Sequence, residues 1–413
     1  MTFPIEAVRR RFPALAVTDE GRPRIYFDAP GGTQVCADTI EATERHMAGG
    51  TANAGGAFST SRAVDALAAA ARAAVADLLN AQPDEIAFGP NMTTLTFAAS
   101  RALARGWGEG DELVLTRLDH DANVAPWLEV ARDRAMTVRW LDFDPATGRL
   151  QLDELPSLLS PRTRLVAVGG ASNALGTVND LPAISRIVRD GSEALIFVDA
   201  VQLAPHVAID VRTLGADLLA FSPYKLFGPH AGVLWCRQDL AERLEAYKVR
   251  PAGTAGARRF ETGTPSFEGL AGVLGMVDYL EWLGGTVAPA ADNRRARLRA
   301  AFAEAEAYEA ALGQRLLDGL RRLNSVRLYG PAEMTARVPT FSFTVEGHGP
   351  RDVAEHLAQA GLFAWAGHFY AVETVARLGL AEAGGLVRVG LCHYNTADEV
   401  DRLLAVLAEL GRD

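Results

Sequence analysis

Two continuous apolar runs, Leu165-Val166-Ala167-Val168 and Ala194-Leu195-Ile196-Phe197-Val198, constrain the fold of this chain more than any other feature. Neither shows the polar–apolar alternation of a strand with one wet face. Both are bounded by polar residues or glycine, as expected of strands buried on both sides. Shorter runs at Glu85–Phe88 and Glu112–Leu115 read the same way, and each is separated from the next by a segment of helical length. Strands spaced by helices give βαβ units and a mostly parallel sheet. Two more strands, Leu218–Phe221 and Gly232–Trp235, flank a polar loop. The helical segments include Ala63–Leu79 and Leu95–Ala104.

Beyond about residue 270 the pattern changes. A long Arg/Ala/Glu-rich helix spans Asn293–Leu323. Strands follow at Val326–Tyr329, Thr340–Val345 and near Val387–Leu391, with helices at Asp352–Ala360 and Ala397–Leu410. The expectation is an α/β protein in three parts. Residues 1–20 form an N-terminal segment packing with the small domain, 21–269 a large domain, and 270–413 a smaller α+β domain.

Composition excludes several functions. The 413 residues carry a net charge of −10 with no basic block, so a nucleic-acid partner is not expected. No signal peptide, membrane span or disulfide framework is expected, and the cytoplasm is the default location. The three cysteines, Cys36, Cys236 and Cys392, are scattered, which also argues against a metal site. Against 39 arginines there are only two lysines, Lys225 and Lys248. Arginine cannot deprotonate to become a nucleophile, whereas lysine can.

Lys225 lies in the polar loop Ser222-Pro223-Tyr224-Lys225-Leu226-Phe227-Gly228-Pro229, between two apolar strands. Asp199 directly follows the run ending at Val198, at the strand end where open α/β sheets bind ligands. A carboxylate there needs a cationic partner, and a protonated pyridine nitrogen would serve. Gly89-Pro90-Asn91-Met92-Thr93-Thr94 opens a helix and offers N–H groups and hydroxyls to an anion. His120, in Asp119-His120-Asp121-Ala122-Asn123, sits in a loop past a strand end, suited to stacking on a flat ring or moving protons.

These four segments, in this order and spacing, resemble the class V aminotransferases, fold-type I enzymes that use pyridoxal 5′-phosphate (PLP). The cysteine desulfurase and selenocysteine lyase branch is the nearest, and the resemblance runs from about Tyr26 to Leu407. It implies a large domain with a seven-stranded-type sheet, a small C-terminal domain and a homodimer acting on a small amino acid. Lys225 would hold the cofactor as a Schiff base and move protons at the substrate Cα. Asp199 would pair with the pyridine nitrogen, Gln202 with the ring hydroxyl, and His120 would stack on the ring. Thr93, Thr94, Ser222 and Tyr224 would hold the phosphate, with Thr264 reaching the other subunit's cofactor. Asn173 would lie near substrate and ring, and Arg388 would bind the substrate carboxylate.

One departure stands out. Cysteine desulfurases carry a nucleophilic cysteine on a loop ahead of the carboxylate-binding arginine. Here that stretch reads Gly367-His368-Phe369-Tyr370, with Tyr370 where the cysteine would be and Trp365 in place of the motif's arginine. Trp365, Phe369 and Tyr370 suggest an aromatic wall beside the substrate. If the strand near Arg388 ran on to Cys392, that thiol would lie roughly 13 Å further along. Cys36, after the Gly31-Gly32-Thr33-Gln34 turn, is the cysteine expected nearest the site. Three readings follow. The first, favoured by the resemblance, is cleavage of a C–S or other β-bond without an enzyme persulfide. The others are an amino-acid epimerase or aminotransferase, and a non-catalytic paralogue.

Overall fold

The computed structural model describes residues 3–411. Its larger sheet has seven strands: β1 (Ile86–Gly89), β2 (Glu112–Thr116), β3 (Thr137–Leu141), β4 (Thr163–Gly169), β5 (Leu195–Asp199), β6 (Leu218–Phe221) and β7 (Gly232–Cys236). Their order across the sheet is β1-β7-β6-β5-β4-β2-β3. Only β7 runs antiparallel to the rest. The apolar runs are the central strands β4, β5 and β6, and side-chain alternation divides them between two cores. Val166, Val168, Ile196, Val198, Leu219 and Phe221 face one hydrophobic layer. Leu165, Ala167, Phe197, Leu218 and Ala220 face the other. Both faces are covered, which is why neither run contains a polar residue.

Helices α2 (Ser59–Leu79), α5 (Leu181–Gly191) and α6 (Phe267–Val287) cover the first face, with α1 (Ala37–Ala48) packed on α6. Helices α3 (Met92–Leu103) and α4 (Ala125–Asp133) cover the second. The connection from β2 leads one way across the sheet to β3, and that from β4 leads the other way to β5. The crevice at the carboxyl ends of β2 and β4 is therefore the topological switch point, where open α/β sheets bind ligands.

A second, antiparallel sheet has the order β8-β9-β11-β10, with β8 (Val326–Tyr329), β9 (Thr340–Val345), β10 (Trp365–Gly367) and β11 (Leu386–Gly390). Phe341, Phe343, Val387 and Val389 pack against α7 (Arg294–Arg322), α8 (Pro350–Gln359) and α10 (Ala397–Leu410); α9 is Val372–Arg377. Arg388 alternates to the opposite face, beside Ser342 and Trp365.

The N-terminal segment touches both bodies. Phe3 stacks on Tyr308 of α7 at 4.3 Å, and Arg9 pairs with Glu399 of α10 at 2.9 Å. Phe12 packs edge-on against Phe227 and Tyr279 of the larger body. Residue 270, the expected boundary, falls within α6, which packs on α1 and α2. Among the described residues no helix is long and apolar enough to cross a membrane.

Candidate active site

Each element of the switch point delivers one polar group. β5 ends on Asp199, whose Oδ1 accepts from the Val201 N–H at 2.9 Å. Burial pushes this carboxyl up to about 6, opposed by that hydrogen bond and by the charge of Lys225. β6 leads into a short 3₁₀ turn, Pro223–Lys225, that turns Lys225 inward until it is 5% exposed. Burial drives the Lys225 ammonium down to about 7, Arg388 adds to the effect, and Asp199 offsets part of it. At neutral pH a large share of this amine is therefore unprotonated and nucleophilic.

The loop after β2 carries Asp119 and His120. Asp119 is fully enclosed. Its Oδ1 accepts from the Gly169 N–H and the Thr116 hydroxyl, both at 2.8 Å, and its Oδ2 accepts from Asn123 Nδ2 at 2.7 Å. Burial raises its carboxyl to about 7. His120 Nδ1 accepts from the Ala122 N–H at 2.9 Å, which leaves the proton on Nε2. Burial, with Lys225 and Arg388 nearby, holds the imidazole down at about 3, so it is neutral. The β2–β4 crevice thus joins a neutral imidazole to a half-deprotonated lysine and two shielded carboxyls.

Asn91 caps α3 by accepting from the Thr94 N–H at 2.8 Å, and the Met92 N–H donates to Ser222 Oγ at 2.9 Å. The Ser222 hydroxyl so ties the lysine loop to the positive end of a helix. From the second sheet, Arg388 reaches across to donate from Nη1 to the Asn173 carbonyl at 3.0 Å. Its guanidinium lies 4.2 Å from the Phe369 ring centroid. Burial lowers Arg388 to about 9, against the opposing charge of Asp28. Asp28, raised to about 6 by burial, sits where the N-terminal strand bridges Gly390.

These groups surround two adjoining cavities. The inner one, about 40 Å³, is lined by Met92, Asp119, Asp199, Gln202, Ser222 and others. The outer one, about 810 Å³, opens past Arg388 and the Trp365–Tyr370 stretch. Thr93, His120, Ala122, Asn173, Tyr224 and Lys225 line both. Of the residues singled out from sequence, Thr94 and Thr264 are not in this group; they line a separate cavity with His230. Tyr370 is 66% exposed at the outer rim, its ring stacked on His120 at 5.5 Å. The sequence reading did not single out Asp28 as a site group, and it quoted Asp119 only as part of the His120 segment. Asp119 could have been found as an acid directly before that histidine.

All three cysteines are buried, and none lines either cavity. Cys36, expected nearest the site, instead donates to Thr39 Oγ1 at 3.3 Å, and burial raises its thiol to about 11. Burial likewise drives Cys236 and Cys392 up. The second-sheet strand stops at Gly390, so Cys392 lies beyond it. There its N–H donates to Asn395 Oδ1 at 3.0 Å.

The chain belongs to the class-V aminotransferase family of PLP enzymes: the family model matches residues 25–403. It is 35% identical to the aminotransferase-like protein FGM3 of Gibberella zeae, over 98% of each chain. It is 31% identical to a cysteine desulfurase of Klebsiella pneumoniae, over 100% of this chain and 99% of that one. Among solved structures, the cysteine desulfurase of Thermococcus onnurineus superimposes with a TM-score of 0.87 at 28% identity. That match covers 100% of this chain and 99% of the other.

The residues present fit PLP. Gln202 Oε1, Asn173 Oδ1 and Arg388 Nε are buried at the cavities without a hydrogen-bond partner among the described residues. Unpaired buried polar atoms are rare in folded proteins, and they converge here around an amine able to attack an aldehyde. A depressed lysine makes a testable statement. Uptake of PLP by the apoprotein should accelerate as pH rises through about 7, then level off. Stopped-flow absorbance between pH 5.5 and 10 checks this; a rate still climbing near pH 10 would mark an ordinary, solvated lysine.

Proposed function

We propose that this protein cleaves a C–S or other β-bond of an amino acid without passing sulfur through one of its own cysteines. The observation that carries the reading is the loop Gly367–Tyr370. It presents Tyr370 at the cavity rim, while every thiol in the described chain is buried elsewhere and shifted away from thiolate. A nucleophilic cysteine needs an accessible, electropositive setting, and none of the three has one.

In this reading Lys225 anchors PLP and then moves the proton at the substrate Cα. Bound there, PLP supplies a sink for the electron pair left when that proton departs. Asp199 would pair with the pyridine nitrogen and keep it protonated. Gln202, whose Oε1 is unpartnered among the described residues and whose Nε2 donates to Thr340 Oγ1 at 3.1 Å, would hydrogen-bond the ring hydroxyl. His120 would stack on the ring as a neutral imidazole, adding no charge to compete with the lysine. Thr93 and Ser222, at the α3 N-terminus, take the phosphate. Arg388 takes the substrate carboxylate, and the Asn173 side chain is steadied by donating to the Phe369 carbonyl at 2.8 Å.

The test begins with L- and D-amino acids, following release of sulfide, pyruvate and ammonia to find the substrate. A variant carrying Cys36→Ser, Cys236→Ala and Cys392→Ala should then turn that substrate over within a few-fold of the parent, allowing for repacking of three buried sites. Mass spectrometry during turnover should show no sulfur added to the protein. A stoichiometric extra sulfur on one cysteine, with turnover lost when that residue alone is replaced, would restore a desulfurase with a relocated nucleophile.

A further inference from the structure

The outer cavity has an uneven distribution of charge. Its cations, Lys225 and Arg388, are both buried, and of the two only Lys225 also lines the inner cavity. Among the described lining residues it has one carboxylate, Asp121, which lines the outer cavity and not the inner one. The Asp121 backbone N–H donates to the Tyr370 carbonyl at 2.7 Å, while among the described residues none donates a hydrogen bond to its carboxylate. Beside these groups the cavity wall carries aromatic rings that are largely exposed. Trp365 is 52% and Tyr370 66% exposed, and the indole closes over Gly31 so tightly that a Cβ there would lie 2.5 Å from its Nε1.

This arrangement is maintained against a conformational cost. Phe369 and Tyr370 both adopt left-handed backbone, with φ of 54° and 57°, unusual for aromatic residues. Two such residues in succession persist only where surrounding contacts over-determine them. Here the Phe369 carbonyl accepts from Asn173, the Tyr370 carbonyl accepts from Asp121, and the Tyr370 N–H donates to His368 Nδ1 at 3.0 Å. The loop is built to hold the tyrosine at the rim.

The outer cavity, about 810 Å³, includes room that the cofactor would take beside Thr93, His120, Tyr224 and Lys225, and its wall continues past Arg388 along Trp365, Tyr370 and Asp121. It therefore suits a substrate side chain longer than that of cysteine. We infer that the substrate is an α-amino acid with a long side chain ending in a cation. Its carboxylate lies at Arg388, its side chain runs over Tyr370 and Trp365, and its cationic end lies at Asp121. Aromatic faces attract cations as well as apolar stems, so the shelf and the carboxylate act in the same direction. The inference rests on the amino-acid enzyme reading above and names the substrate class of that same site.

The experiment is calorimetric titration of the PLP-loaded enzyme at pH 8; His368 is the other titratable group facing Asp121. The panel is L-cysteine, L-norleucine, L-glutamate, L-lysine and L-arginine. Lysine or arginine should bind about ten-fold more tightly than norleucine, and norleucine more tightly than cysteine. Asp121→Asn should cut the lysine-over-norleucine ratio several-fold. Tyr370→Ala should weaken both, lysine more than norleucine. Cysteine or glutamate binding as tightly as lysine would overturn the inference, as would a preference for lysine that is undiminished by Asp121→Asn. β-Bond cleavage is judged separately, by products, so an enzyme with the expected order of affinities but no product would refute that reading and not this one.

Discussion

Lys225→Ala should lower turnover by roughly 10²–10⁴-fold, the range for removing a positioned proton-transfer group, and should abolish covalent retention of PLP. The two losses have one origin. The amine is enclosed by the β6 turn, and burial together with Arg388 brings it to about 7. It is thereby both a nucleophile toward an aldehyde and a base near neutral pH. The folding consequence runs the other way. A lysine whose folded value lies below its value in water disfavours the protonated folded state. The parent therefore gains stability as pH rises from about 7 towards the ordinary lysine value near 10.5, and loses that contribution as pH falls. Removing the side chain abolishes this penalty, so the apoprotein variant should melt no lower than the parent at pH 7. Borohydride reduction followed by peptide mapping gives the direct readout: the label belongs on Lys225 in the parent and nowhere in the variant. Label on Lys248, whose amine instead donates to the Ala252 carbonyl at 2.8 Å, would refute the assignment.

The lysine and its acid were legible in the sequence because each stands at the end of a strand too apolar to be anything but buried. Strand β5 ends at Asp199, and β6 ends one residue before Ser222. The two scarce lysines narrowed the choice further. Among the features that escaped, three are instructive. Strand β3 lies at the sheet edge with most of its residues partly exposed, so Thr137–Leu141 lacks the unbroken apolar character of its neighbours. Helix α6 was missed for the opposite reason: it is apolar nearly all round and rich in glycine, which removes the helical period. Those glycines serve close packing. A Cβ on Gly275 would meet the Asp38 carbonyl at 2.3 Å, and one on Gly284 the Arg297 carbonyl at 1.9 Å. Strand β10 spans only three residues and abuts a turn whose shape depends on the left-handed Phe369 and Tyr370, which composition does not announce.

Arg388 shows why part of a site stays hidden even where its strand is recognised. Alternation along Leu386–Gly390 tells that one residue faces away from Val387 and Val389, but not what lies opposite. The answer is a second body of the protein, meeting the guanidinium through the Asn173 carbonyl. Arg388→Ala should therefore raise the Michaelis constant and lower kcat/KM by roughly 10²–10³-fold, as expected when one partner of a buried charge-assisted pair is removed. PLP absorbance should be retained, because no group assigned to the cofactor is lost. Arg388→Lys should recover little, since a lysine lacks the planar fork that grips a carboxylate at two points. The substitution also takes away the cation that opposes the burial shift on Asp28. That carboxyl should then move further above 6 and stay protonated at neutral pH, which limits the cost to stability. Steady-state kinetics with the substrate and with its amide, which has no carboxylate, decide the matter. For the parent the amide should be as poor as the acid is for Arg388→Ala, and the variant should treat the two alike. Equal discrimination between acid and amide in parent and variant would place the carboxylate somewhere other than Arg388.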